Sequence, residues 1–219
     1  MGDPRVARIP VQECGEELVD SRTLTGLVVT EHDAPRSAAY PFFVRRSLGE
    51  RLQQAQAGLP TGLRLLIMEG YRPYDLQELY FTNHQRRLMD ADPELTGETA
   101  FMAASQFVSP PDVAPHVSGA AVDLTLLAQD GEPLDMGTPV DASPEESNGA
   151  CYFAADTISA VARENRTILA SALEGAGLVN YPTEWWHWSY GDRYWALTLA
   201  RPHAIFGPVR APGEVPSRL

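Results

Sequence analysis

Apolar positions recur at two periods along this chain. Val44, Leu48, Leu52 and Ala55 fall at steps of four, four and three, which predicts a helix over 43–57 that Gly58 and Pro60 stop. The unbroken apolar run at 63–68 lies between Gly62 and Gly70, and its length and flanks favour a buried strand. Pro73 breaks the chain, Asp75 and Glu78 resemble a capping box, and a helix over 75–89 follows. At 120–127 the period changes to two: Ala121, Asp123 and Thr125 share one face, and Val122, Leu124 and Leu126 share the other.

The remaining segments are less regular. Residues 1–40 mix short apolar pieces with charges and prolines, and 91–115 is rich in Pro, Ser and Thr and reads as loop. Residues 129–150 form a long acidic loop, and a loop of that length inside a compact domain is often functional. A helix is expected over 155–173, ended by Gly175 and Gly177, and then a strand pair near 178–181 and 185–190 around Pro182-Thr183. The tail from Pro202 is proline-rich and reads as an extended strap or disorder.

At 219 residues the chain makes one domain with an apolar core large enough to fold without disulfides. Seventeen Lys and Arg stand against 29 Asp and Glu, a net charge of −12 that argues against nucleic acid and membrane surfaces as partners. Cys14 and Cys151 form no metal pair and read as two reduced thiols. No run is long and apolar enough for a transmembrane helix, and the first residues carry no apolar signal core, so a cytoplasmic chain is expected. Oligomeric state is left open.

Two of the five histidines sit in informative settings. His116 precedes Gly119 and Asp123, and His187 follows Glu184 within Glu-Trp-Trp-His. Imidazole and carboxylate suit Zn²⁺, and His116, Asp123 and His187 would supply the three protein ligands of a catalytic zinc. Gly119 allows the tight turn that returns His116 to Asp123. Glu184 would then be the general base, provided the backbone bends, because positions 184 and 187 of a regular strand face opposite ways. Arg72, just past the apolar run, suits a developing oxyanion. Plainer readings stand beside these. Asp123 is equally a strand-end residue bonded to backbone, Arg72 a surface ion pair, and Trp185, Trp186 and Trp188 core. His32, His84 and His203 read as structural or surface residues, with His84 on a solvated helix face.

Glu69-Gly70-Tyr71-Arg72-Pro73, His116-x-x-Gly119-x-Ala121-x-Asp123 and Glu184-Trp185-Trp186-His187 together resemble the three signature blocks of the D-alanyl-D-alanine dipeptidases. These are VanX-like zinc peptidases of the M15 group, related in fold to cell-wall zinc carboxypeptidases and to the hedgehog signalling domain. The resemblance spans about residues 40–200. It implies an α+β fold, with a small antiparallel sheet carrying the metal site and packed against helices. It implies one Zn²⁺ held by His116, Asp123 and His187, with Glu184 as catalytic base and Arg72 stabilising the tetrahedral transition state. It also implies a small dipeptide substrate whose ammonium group lies near Asp141. Trp185 and Trp186 are expected to wall the substrate pocket.

Two departures touch specificity. The family motif usually begins Ser-x-His, and Ala114 stands at that first position here. Leu27-Val28-Val29-Thr30 occupies the region where the family's substrate-side tyrosine segment is sought. A D,D- or L,D-carboxypeptidase, a biosynthetic peptidase and a non-catalytic zinc-binding module are the alternatives on the same scaffold.

Overall fold

A computed structural model describes residues 2–30 and 40–210. In chain order the elements are α1 (Pro4–Arg8), β1 (Leu18–Asp20), β2 (Val28–Val29), β3 (Phe43–Arg45), α2 (Arg46–Gly58), β4 (Arg64–Glu69), α3 (Tyr74–Ala91) and α4 (Gly97–Ala104). After a 3₁₀ turn at Pro115–Ser118 come β5 (Ala121–Leu127), α5 (Ala160–Gly175), β6 (Val179–Tyr181), β7 (Glu184–Ser189) and α6 (Arg193–Thr198). Strand β1 pairs with β3, and a five-stranded sheet runs β2-β4-β5-β7-β6. The architecture is α+β, as the resemblance implied. The sheet is antiparallel except at one edge, where β2 pairs with β4 in parallel.

The two faces of this sheet have separate tasks. Cross-strand partners Leu65 and Leu126, and Ile67 and Leu124, point to one side, where Leu48 and Leu52 of α2 and Leu169 and Leu173 of α5 complete a dry core. Burying side chains of this size contributes roughly 1.5–3 kcal/mol each, so this face fixes the register. Asp123 and Thr125 face the other way, as period two requires. Both are largely buried nonetheless, so little of this polar face meets bulk water.

Several expectations are corrected. Residues 43–45, assigned to the start of a helix, are strand β3, and α2 begins at Arg46. Helix α3 starts at Tyr74 after Pro73 with no side-chain cap, so Asp75 and Glu78 form no capping box. The stretch 91–115 is not all loop: Thr96 and Thr99 cap one another reciprocally and start α4, which packs on α3 through Phe81 and Phe101 with ring centroids 5.0 Å apart. Helix α5 begins five residues later than expected, at Ala160, because Ser159 caps it by accepting from the Ala162 amide. Both cysteines are free, Cys14 exposed and Cys151 buried. Part of the proline-rich tail, 211–219, lies outside the described residues.

Candidate metal centre

Three different backbone devices carry the site. Asp123 sits mid-strand on β5, directly opposite His187 on β7, so the two side chains share a face by register alone. His116 arrives from the 3₁₀ turn, which Gly119 ends at φ 66°, a left-handed conformation. A Cβ at Gly119 would stand 2.3 Å from Leu18 Cδ2. Glu184 opens β7, and the expected bend is there. Asn180 pairs with Trp188 and Tyr181 pairs with Glu184, so one step on β6 spans four on β7. This bulge puts Glu184 Oε2 3.9 Å from His187 Nδ1 although the two residues are three apart.

The three expected ligands converge. One ligand atom from each of His116, Asp123 and His187 falls within 4.8 Å of the others, and all three residues are buried. His116 Nε2 lies 3.1 Å from His187 Nδ1 and 3.3 Å from Asp123 Oδ2, and His187 Nδ1 lies 3.0 Å from Asp123 Oδ1. On its far side His116 Nδ1 is 2.6 Å from the Gly70 carbonyl, which only accepts. That nitrogen therefore carries the proton and leaves Nε2 free to ligate, the outer support typical of metal-binding histidine. Two imidazoles and a carboxylate, desolvated and mutually oriented, fit one divalent cation with a position left for solvent. Burial alone would raise the Asp123 carboxyl, but the imidazoles, His116 foremost, hold it well below the usual carboxylate range.

Around this cluster lies a cavity of about 970 Å³, lined among others by Arg72, Tyr80, His84, Ala114, Asp141, Glu184 and Trp186. Asp123 and Asp141 also line a second cavity of about 810 Å³, with Val29, Thr30, Thr138 and Trp185. The segment ending at Thr30 thus reaches a cavity beside the centre. Trp185 and Trp186 are both core and wall: each is almost fully buried, each lines one cavity, and Trp185 Nε1 donates to Thr138 Oγ1 at 2.8 Å. Burial pushes the Glu184 carboxyl up, Asp123 adds to the effect and His187 opposes it. Asp141, at a positive φ of 63° on the cavity rim, is raised to about 6 by the protein crowding it and by the nearby charges of Asp123 and Glu69. His84 is not on a solvated face: it is half-buried, lines the larger cavity, and sets its ring edge-on to Phe107 at 5.9 Å.

Arg72 is inward-facing and paired. Its Nε and Nη2 donate to the two Glu69 carboxylate oxygens at 2.8 and 2.5 Å, and Nη1 donates to Gln77 Oε1 at 2.7 Å. Burial would lower its pKa, but Glu69 outweighs burial and the guanidinium stays charged. Glu69 had been assigned no role. A bulge between Ile67 and Glu69 turns it onto the Asp123 face, where the two residues are cross-strand partners. Its traces in the sequence are its place at the head of the Glu69–Pro73 block and a carboxylate three residues before an arginine at a strand end.

A family model described as D-Ala-D-Ala dipeptidase, peptidase family M15, matches residues 29–207. The chain belongs to that family. It is accordingly a metallopeptidase. A D-alanyl-D-alanine dipeptidase of Synechocystis sp. is 27% identical, covering 89% of this chain and 90% of its own. The D-alanyl-D-alanine dipeptidase of Enterococcus faecium is 34% identical, covering 66% of this chain and 71% of its own. Among solved structures, the LdcB LD-carboxypeptidase aligns at 16% identity with a TM-score of 0.45, covering 86% of this chain and 73% of that one.

Proposed function

We propose that this M15 peptidase is a zinc-dependent dipeptidase hydrolysing a small free dipeptide, D-alanyl-D-alanine first among the candidates. The observation that carries the reading is the meeting of His116, Asp123 and His187 within 4.8 Å, on a cavity shared with Glu184, Arg72 and Asp141. Those three residues would hold one Zn²⁺, which supplies a Lewis acid and makes water a nucleophile near neutral pH. Glu184 takes the proton of the attacking water and returns it to the leaving amine; its raised pKa suits both halves of that transfer. Arg72, locked in place by Glu69, faces the oxygen on which negative charge develops. Asp141 on the rim receives the substrate ammonium. The buried walls of Trp185 and Trp186 lower the local dielectric and strengthen each of these interactions. The names of the curated relatives support the substrate.

The described chain is proposed to act as one domain, since strands β4, β5 and β7 share a core with α2 and α5. The cytoplasm is the proposed compartment, supported by two unpaired thiols. The test is hydrolysis of D-Ala-D-Ala with and without chelator, beside Glu184→Gln. Loss of turnover under both changes is expected; full activity in Glu184→Gln sinks the assigned base.

A cavity of about 970 Å³ favours a second reading, peptidase action on longer peptides, because it matches drug-sized ligands and is roomier than a dipeptide requires. Faster cleavage of a peptidoglycan-type pentapeptide than of D-Ala-D-Ala would decide for it.

A further inference from the structure

Glu184 and His187 can serve one centre only because β7 is distorted between them, and a distorted strand leaves carbonyls without ladder partners. Between the pairs Tyr181–Glu184 and Asn180–Trp188, residues Trp185, Trp186 and His187 have no opposite number on β6. Three carbonyls of that stretch converge on one side chain. Asn180 Nδ2 lies 3.0 Å from the Glu184 carbonyl, 3.0 Å from that of His187 and 3.4 Å from that of Trp185. The Trp185 carbonyl takes a second donor, Trp188 Nε1, at 3.1 Å. All three partners of Asn180 are pure acceptors, so the amide nitrogen must be the atom facing them.

We infer that Asn180 is a positioning residue for this reaction: its amide clamps the β7 bulge and so sets the spacing between the general base and the third metal ligand. The inference rests on the proposed function. Nothing else about the position calls for asparagine, which is disfavoured in strands. The sheet's pairing fixes the two ends of the bend and leaves its middle without ladder bonds. The β5–β7 ladder pairs 121–123 with 187–189, beginning only at His187, so on that side it holds the ligand alone; Glu184 is held by its pairing with Tyr181 and the Trp185 amide by the Cys151 carbonyl at 3.1 Å, which leaves the span between base and ligand to Asn180. An aspartate here would be nearly isosteric but would set a carboxylate against three carbonyl oxygens, whereas alanine would remove the clamp and leave the carbonyls to water or to each other.

The experiment compares Asn180→Asp, Asn180→Ala and Asn180→Gln with the parent in two readouts. The first is kcat and KM for D-Ala-D-Ala. The second is Zn²⁺ affinity by competition with a chromophoric chelator, which needs no turnover. Expected are a fall in kcat of about 100-fold with KM within about twofold for Asp and Ala, the size of loss that follows a misplacement of about 1 Å. Zn²⁺ affinity should weaken about tenfold, as for other outer-shell partners. Gln, which keeps the amide, should retain more of both than Asp does, a ranking that a loss of fold stability alone does not produce. Should Asp fail to fold, Ala and Gln carry the same comparison. Parent-like kcat and Zn²⁺ affinity in Ala overturn the inference while leaving the dipeptidase reading intact. A parent that binds Zn²⁺ yet cleaves no dipeptide overturns that reading, and the Zn²⁺ arm still decides on Asn180.

Discussion

Both carboxylate oxygens of Glu69 accept from the guanidinium of Arg72, at 2.8 and 2.5 Å, so this arginine is aimed before any substrate arrives. Three of its five N–H donors are used by Glu69 and Gln77, which leaves two for a ligand. A guanidinium whose orientation is settled in advance needs no rearrangement when charge develops, which is where electrostatic catalysis gains most.

Glu69 and Arg72 should therefore behave as one unit. Glu69→Ala is expected to lower kcat about as far as Arg72→Ala, on the order of 100-fold, and the double variant should be no worse than either. Glu69→Ala also leaves a half-buried cation with only Gln77 as side-chain hydrogen-bond partner and should lose about 1–3 kcal/mol of stability. A double-mutant cycle in kcat, with denaturant melts alongside, checks both halves; additive effects on kcat would separate the two residues.

Asp141 sets an acid limb. Its carboxyl, ordinarily at 3.8, is held to about 6 in the folded protein, so it is neutral in acid and becomes a partner for an ammonium as the pH rises. The profile of kcat/KM for D-Ala-D-Ala should rise through about pH 6, and Asp141→Asn should remove that limb and raise KM about tenfold, the equivalent of one charge-assisted hydrogen bond. Stability runs the opposite way. The raised pKa favours the fold below about pH 4, and that contribution is lost as pH climbs through about 6. Asp141→Asn should therefore gain thermal stability relative to the parent above pH 6 and show little gain below pH 4.

Metal removal should destabilise as well as inactivate. If His116, Asp123 and His187 bind Zn²⁺ only when folded, free metal at 100 times Kd adds about 2.7 kcal/mol. Chelation is expected to lower Tm by an amount that titrates with free Zn²⁺. Asp123→Ala should melt at one temperature with or without metal; a metal-dependent Tm in that variant would place the ion elsewhere.

Arg166 fastens the acidic loop. Among the described residues no carboxylate lies within salt-bridge distance of this buried residue of α5. Its guanidinium instead donates to the carbonyls of Met136, Ala150, Tyr152 and Phe153, at 2.8, 2.8, 2.6 and 3.3 Å. Burial lowers its pKa to about 10, so it remains charged at neutral pH. Arg166→Met leaves those carbonyls unpaired and should cost about 3 kcal/mol or more, seen as a Tm lower by roughly 6–12 °C. KM should rise because the same loop carries Asp141; an unchanged KM would show that the loop keeps its shape unaided.

What could be read from the chain and what could not divide along a physical line. The meeting of His116, Asp123, His187 and Glu184 was legible because each lies in a compact block whose spacing resembles a family signature, although the blocks themselves stand far apart in the chain. Apolar patterning placed α2, β4 and β5 within a few residues. Glu69, Asn180 and Arg166 were illegible for a shared reason: each acts on backbone or on a partner that only a bulge or a loop closure brings near. Helix α4 escaped because its helical signal is a reciprocal Thr96–Thr99 cap inside a stretch whose composition suggests loop. His84 was misplaced because polar neighbours in sequence, Asn83 and Gln85, concealed that its own helix face meets Phe107 and the cavity.

Of the three residues proposed to bind metal, only Asp123 rides on regular strand, while His116 stands on a turn and His187 beside a bulge. The aspartate is thus a datum that the hydrophobic core cannot let drift, and the two imidazoles are adjustable jaws set against it. Fine adjustment of the ion's surroundings therefore belongs to the turn before Gly119, whereas the β7 jaw is tied to the interior through its neighbouring tryptophans and can move only with them.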